Sequence, residues 1–108
     1  MTLIVNTRYS TYPDCYISTG QYQYDGSTCI QLYNREDGPI AYITTCIPNG
    51  GVELLDNESF IDTNNCPWAI EFIKKYNLGE VTDKLGYSGF CSYPVVQWNM
   101  AEIEKYKQ

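Results

Sequence analysis

At 108 residues, with 44% hydrophobic and 15% aromatic side chains, the chain can bury one core, is too short for two ordinary domains, and is too aromatic for a disordered segment. A formal net charge of -6 repels phosphate backbones, so direct nucleic-acid binding is not expected. No run approaches the ~20 apolar residues of a membrane span, and Met1 to Asn6 lacks the basic flank of a secretory leader, so one soluble, cytoplasmic domain over residues 1–108 is expected.

The first half reads as strands. Residues 15–24 are rich in β-forming side chains, with Gly20 at a bulge or bend and Asp25-Gly26 as a turn. Over residues 28–33, Thr28, Ile30 and Leu32 alternate with Cys29, Gln31 and Tyr33, the period of a half-buried strand. The breaker Arg35 to Pro39 leads into a strand over Ile40 to Ile47, which completes a hairpin or meander. After a second breaker, Pro48 to Gly51, short strands are predicted at Val52 to Leu55 and Ser59 to Ile61.

Asp62 to Pro67 reads as a helix start: Asn64 or Asn65 can cap exposed amides, and Pro67 fits the first turn, where its missing donor costs little. The helix is predicted to run to about Tyr76, with Ala69, Phe72, Ile73 and Tyr76 on one apolar face and Glu71, Lys74 and Lys75 opposite. Gly79 is predicted to stop it in a left-handed conformation. Residues 80–89 carry Gly86 and Gly89 and read as a loop with room for a short strand. Phe90 to Trp98 is the last strand, with Pro94 at an edge or a bulge, and Asn99 caps a short helix over Met100 to Tyr106. This order predicts the α+β class: an antiparallel β-sheet of about four to five strands, one main helix packed on a face, and a short C-terminal helix.

Chemistry-bearing side chains are sparse. The absence of His removes the commonest general base, the Ser-His and Cys-His pairs and most catalytic metal sites. The five cysteines are never closer than fourteen residues apart, unlike the paired ligands of structural zinc. Their odd number leaves any disulfide framework incomplete, so they read as buried reduced thiols. Cys66 beside a helix start is the nucleophile candidate, and Glu58 with Asp62 the candidate carboxylate pair; packing and capping explain both at lower cost. Gly86 to Gly89 lacks the Lys and the strand-to-helix context of a phosphate loop. No catalytic residue, metal or cofactor is expected.

Negative charge and phenol rings remain. Residues 1–73 hold nine acids against Arg8 and Arg35, and no base intervenes between Arg35 and Lys74. Glu36, Asp37, Asp56 and Glu58 are expected to meet a protein partner with a basic surface. Tyr22 and Tyr24, from the tyrosine-crowded amino-terminal quarter, are expected to add rigid contact area there.

Three segments, Ile61-Asp62-Thr63-Asn64-Asn65-Cys66-Pro67-Trp68-Ala69, Leu78-Gly79 and Ser88-Gly89-Phe90-Cys91-Ser92-Tyr93-Pro94, together resemble an uncharacterised family of small proteins carried by plasmids, phages and conjugative elements of Firmicutes and gut bacteria. Ile30 to Tyr33 and Gly38 to Tyr42 are similar to that family's first hairpin, so the likeness covers residues 28–98. The resemblance implies a genetic context in a bacterial host cell and brings no catalytic residues. Small acidic proteins of mobile elements are often inhibitors of host defence. The leading expectation is therefore a non-enzymatic protein that occupies a basic nucleic-acid-binding surface of a defence protein, as an anti-CRISPR protein does on a CRISPR effector, its carboxylates imitating phosphates. The alternative is a structural or accessory mobile-element protein acting through self-association, as a homodimer, or through a tyrosine-rich interface. An enzyme using Cys66 or an acidic pair ranks third.

Overall fold

The amino-terminal half forms a meander because its β-forming runs are separated by residues able to reverse the chain. The computed structural model describes residues 1–108. In it β1 (Leu3–Asn6), β2 (Thr11–Gln21), β3 (Thr28–Asn34) and β4 (Gly38–Tyr42) pair in that order as one antiparallel sheet. The alternation predicted for β3 is present, with Ile30 and Leu32 buried. In the β3–β4 turn, Asn34 Oδ1 accepts from the Glu36 and Asp37 amides at 2.8 and 3.1 Å, and Gly38 takes the left-handed φ of 77° that closes the reversal.

The single strand expected from Ile40 to Ile47 is two pieces. At Ile43 the chain leaves the first sheet, and β5 (Thr44–Thr45) begins a second, ordered β5-β6-β8-β7, with β6 (Glu58–Ile61), β7 (Gly79–Ser88) and β8 (Cys91–Trp98). Ile43 N donates to Ile30 O at 3.2 Å, and Ile43 O accepts from Asp62 N at 2.9 Å. Thr44 Oγ1 accepts from the buried Ile30 N at 3.0 Å and shares a 2.9 Å hydrogen bond with Tyr22 Oη. A second polar stitch joins the sheets: Ser59 Oγ donates to Thr28 O at 2.5 Å while accepting from Trp98 Nε1 at 2.8 Å.

β6 is buried along its whole length because apolar matter lies on both its faces. Ile61 joins the main core with Val96, Trp98 and, from the first sheet, Leu3, Val5, Ile17, Ile30 and Leu32. Phe60 points the other way, onto Ile47 and Val95, with Val52 and Leu54 packed against them. The segment 46–57 therefore covers the second face of the second sheet, and the strand expected at Val52 to Leu55 is irregular chain.

With 47% strand and 11% helix, the structure overturns the predicted α+β layout of one sheet beneath a main helix. α1 (Ala69–Lys75) has seven residues and α2 (Met100–Glu104) five. Ala69, Phe72 and Ile73 of α1 are buried, but two turns supply side chains to a core built by strands and make no layer of their own. Asp62 Oδ1 accepts from Asn65 N at 3.2 Å in a turn before the helix, so neither predicted Asn caps α1, and Trp68 at its N-cap makes no side-chain cap bond. The C-terminus closes as a Schellman motif: Asn77 takes φ 56°, Leu78 N donates to Ile73 O at 2.9 Å, and Asn77 N donates to Lys74 O at 3.2 Å. Asn77, not Gly79, thus stops the helix. Gly79 opens β7, where an added Cβ would stand 2.6 Å from Gln97 O, so the glycine is there for close strand approach. The loop expected over 80–89 is a ten-residue strand. Asn99 does cap α2, accepting from Glu102 N at 3.4 Å.

Thr44→Val keeps the side-chain shape but removes the only acceptor serving the buried Ile30 amide and the partner of Tyr22. Leaving a buried N–H unpaired costs about 1–3 kcal/mol, so a comparable drop in unfolding free energy is expected from urea titration. An unchanged midpoint would show that the hydroxyl does not hold the crossover.

Candidate partner interface

Strand topology, more than sequence proximity, decides which acids share a face. The β2–β3 turn and the segment 46–57 lie at the same end of the molecule, and two adjoining hollows of about 320 and 530 Å³ separate them, sharing Asp25 and Leu54. Asp25 and Asp56 line the first; Tyr24, Asp25 and Glu53 line the second. No Lys or Arg lines either hollow. Tyr24 stands 65% exposed at the rim of the second hollow, and Leu55, on the wall of the first, is exposed too. Asp25 is held by its own turn, its Oδ1 accepting from Ser27 N at 2.8 Å.

The six residues expected at the interface fall in four places. Asp56 and Tyr24 belong to the cleft. Glu36 and Asp37 are exposed on the β3–β4 turn, at the far end of β3 from the cleft, a strand length of roughly 20 Å. Arg35 stands next to them, its guanidinium carbon 5.2 Å from the centre of the Tyr16 ring. Tyr22 is half-buried with its hydroxyl committed to Thr44, and burial pushes its phenol well above the usual range. Glu58 is withdrawn from the surface altogether, its side chain only 3% exposed.

Glu58 organises the cleft from behind. Its Oε1 accepts from Leu55 N and from Lys84 Nζ, each at 2.7 Å, and Lys84 Nζ also reaches Glu53 O at 3.1 Å. Lys84 arrives through a bulge: between the pairs Val81↔Val96 and Leu85↔Pro94, β7 inserts Thr82, Asp83 and Lys84 opposite Val95 alone. Thr82 Oγ1 fastens the bulge, donating to Val95 O at 2.9 Å and accepting from Lys84 N at 3.2 Å. Pro94, expected at an edge or bulge, sits where this irregularity ends. Burial opposes ionisation of Glu58, but the Lys84 and Leu55 hydrogen bonds and the Lys84 charge outweigh it and hold the carboxyl below its ordinary range.

The other chemical candidates are placed apart from this cleft. Cys66 is buried, donates to Tyr42 O at 3.5 Å, and has its thiol pushed up to about 11 by burial and then by the Asp62 charge, so at neutral pH it is protonated. Asp62 is engaged with Asn65, while Glu58 is engaged with Lys84, so the two carboxylates make no pair. Asp25 and Glu53 are the cleft residues that sequence reasoning missed. Their signal was present, since Asp25-Gly26 and Asn49-Gly50-Gly51 both mark reversals, but only pairing of the strands brings those reversals together.

These features define a class: a two-sheet antiparallel β domain with a carboxylate-lined cleft between a hairpin turn and a packed loop. Residues 16–108 match the family described as Domain of unknown function (DUF4313), and the chain belongs to that family. Comparison with curated proteins and with solved structures finds no match. β1 and the start of β2 lie before the matched residues.

Glu58 makes the stability of the fold depend on pH. Its ordinary carboxyl value is 4.5 and the folded value is lower, so its ionisation stabilises the fold above that pH, and the contribution is lost as pH falls from there through the folded value. In Glu58→Gln, the decline of stability with acid over that window is expected to flatten in pH-dependent urea melts. Lys84→Met, which strands the buried carboxylate, is expected to cost about 2 kcal/mol at neutral pH, since Lys84 keeps some solvent contact. Wild-type stability in both variants would show the pair to be incidental.

Proposed function

We propose that this chain is a non-enzymatic acidic protein of a phage or mobile element that binds and inhibits a host-defence protein, its cleft engaging a basic nucleic-acid-binding surface. Where the partner is a CRISPR effector, the chain is an anti-CRISPR protein. The observation that supports this reading is the grouping of Asp25, Glu53 and Asp56 on adjoining hollows that no cation lines, with Tyr24 at the rim. Carboxylates so placed raise the local concentration of Arg and Lys side chains, and a phenol face adds a cation–π contact. The overall charge of -6 adds longer-range steering that salt screens. Glu36 and Asp37, at the opposite end of β3, play no part in the same footprint.

A second reading, an accessory protein acting through self-association, draws support from the β7–β8 hairpin, where Leu85, Tyr87 and Phe90 are exposed together.

Inhibition of guide-loaded CRISPR effectors and of other defence nucleases, measured at low ionic strength, separates the two. Inhibition that weakens about tenfold or more in Asp25→Asn/Glu53→Gln/Asp56→Asn, and hardly at all in Glu36→Gln/Asp37→Asn, is expected. Absence of inhibition by the wild-type chain, together with a dimer in light scattering that Phe90→Ser dissociates, would replace the first reading with the second.

A further inference from the structure

A different hollow lies beneath the β1–β2 turn, away from the acidic cleft. It has a volume of about 250 Å³ and is walled by Arg8, Tyr9 and Tyr12 from the amino-terminal hairpin, Ile40 and Ala41 from β4, and Trp68 from the turn before α1. Tyr9 is 86% exposed, so it stands at the mouth.

The hydrogen-bonding inventory of this groove is weighted towards donors. Of its small polar groups, Thr7 Oγ1 donates to Ser10 O at 3.0 Å, the Asn65 amide nitrogen donates to Asp62 Oδ2 at 2.9 Å and leaves its Oδ1 free, and the Cys66 thiol donates to Tyr42 O. Arg8 takes part in none of the chain's ion pairs. Arg8, Tyr9, Tyr12 and Trp68 all line the hollow, and the guanidinium, the indole N–H and the two phenol hydroxyls make no hydrogen bond within the chain. Arg and the indole nitrogen can only donate, so what completes the groove must present acceptors, and beside a guanidinium the best acceptor is an oxyanion. The remaining walls are aromatic or aliphatic and suit a ring.

Size and charge narrow the ligand further. The volume lies below the ~300–1,000 Å³ of pockets that enclose whole small molecules and has room for one large side chain. A chain of net charge -6 rejects a polyanion, while Arg8 can accept a single negative group. One ring beside one carboxylate is the chemistry of an aromatic residue at the end of a polypeptide, where the terminal carboxylate is captured by unpaired donors.

We propose that the groove formed by Arg8, Tyr9, Tyr12 and Trp68 binds the C-terminal aromatic residue of another polypeptide, with its α-carboxylate on Arg8 and its ring between the tyrosines and Trp68. The site does not depend on the acidic cleft. Thr7, Arg8, Tyr9 and Tyr12 of its wall precede the residues matched to the family, and the other five lining residues lie within them.

The test is titration of the isotopically labelled protein with N-acetyl-Ala-Ala-Ala-Phe, read on the two indole N–H resonances. Trp98 is buried and bonded to Ser59, so it serves as an internal control. A saturable shift of the Trp68 indole, weakened about tenfold by amidating the peptide and again by Arg8→Gln, is expected. Arg8 and Tyr9 lie in an exposed turn, so Arg8→Gln and Tyr9→Ala leave the fold intact, as the unchanged Trp98 resonance will report. No saturable Trp68 shift at millimolar peptide, or equal binding of the amide, overturns the proposal. Hydrocinnamate binding as tightly as the peptide overturns the polypeptide source and makes this a site for small aromatic acids.

Discussion

The structure turns on one crossover. Between Tyr42 and Thr44 the chain passes from the first sheet to the second, and both amide groups of Ile30 must stay bonded while its neighbouring strand departs. Ile43 N satisfies the Ile30 carbonyl and the Thr44 hydroxyl satisfies the Ile30 amide, so a side chain stands in for the missing ladder partner. A buried unpaired amide here would weigh against the fold as heavily as a lost core methyl. The same residue pair carries the second sheet with it, because Ile43 O accepts from Asp62 N at the end of β6 and Thr44 pairs with Ile61. What the crossover fixes is the position of one sheet relative to the other, and hence of the β2–β3 turn relative to the segment 46–57.

That segment has little regular structure, yet it is not loose. Val52 and Leu54 pack against Ile47, Phe60 and Val95, Gly50 O accepts from Tyr87 N at 3.0 Å, and Glu58 grips Leu55 N from within. Gly86 leaves room for this packing, since a Cβ there would collide with the Phe60 ring. One acid is therefore spent inside the protein, paired with a lysine that a bulge delivers, while Asp25, Glu53 and Asp56 stay on the wet side of the same loop. A buried ion pair adds modest net stability but fixes geometry, and here the geometry fixed is that of the cleft's floor.

The local alternation of β3, the breaker at Arg35 to Pro39 and the cap at Asn99 were legible in the sequence because each is written in residues that are near neighbours along the chain. The fold class was not. The pattern over Ala69 to Tyr76 marks a helix face correctly but says nothing of how few turns the chain devotes to it, so a helix of seven residues read as a main layer. β7 was hidden by Gly79 and Gly86, which look like turn residues and are instead demanded by close approach to Gln97 and Phe60. Which acids share a face was not legible for a related reason: Glu36, Asp37, Asp56 and Glu58 fall in one acidic stretch of chain, but β3 carries the first two to the opposite end and Glu58 is buried against Lys84.

The central claim is that the working surface is the cleft between the β2–β3 turn and the segment 46–57. Amide chemical-shift mapping of the labelled protein during titration with an arginine-rich peptide at low ionic strength tests it most directly. Shifts concentrated at Tyr24 to Ser27 and Glu53 to Asn57, reversed by added salt, are predicted. Shifts centred on Glu36 and Asp37, or spread evenly over all exposed acids, would contradict it.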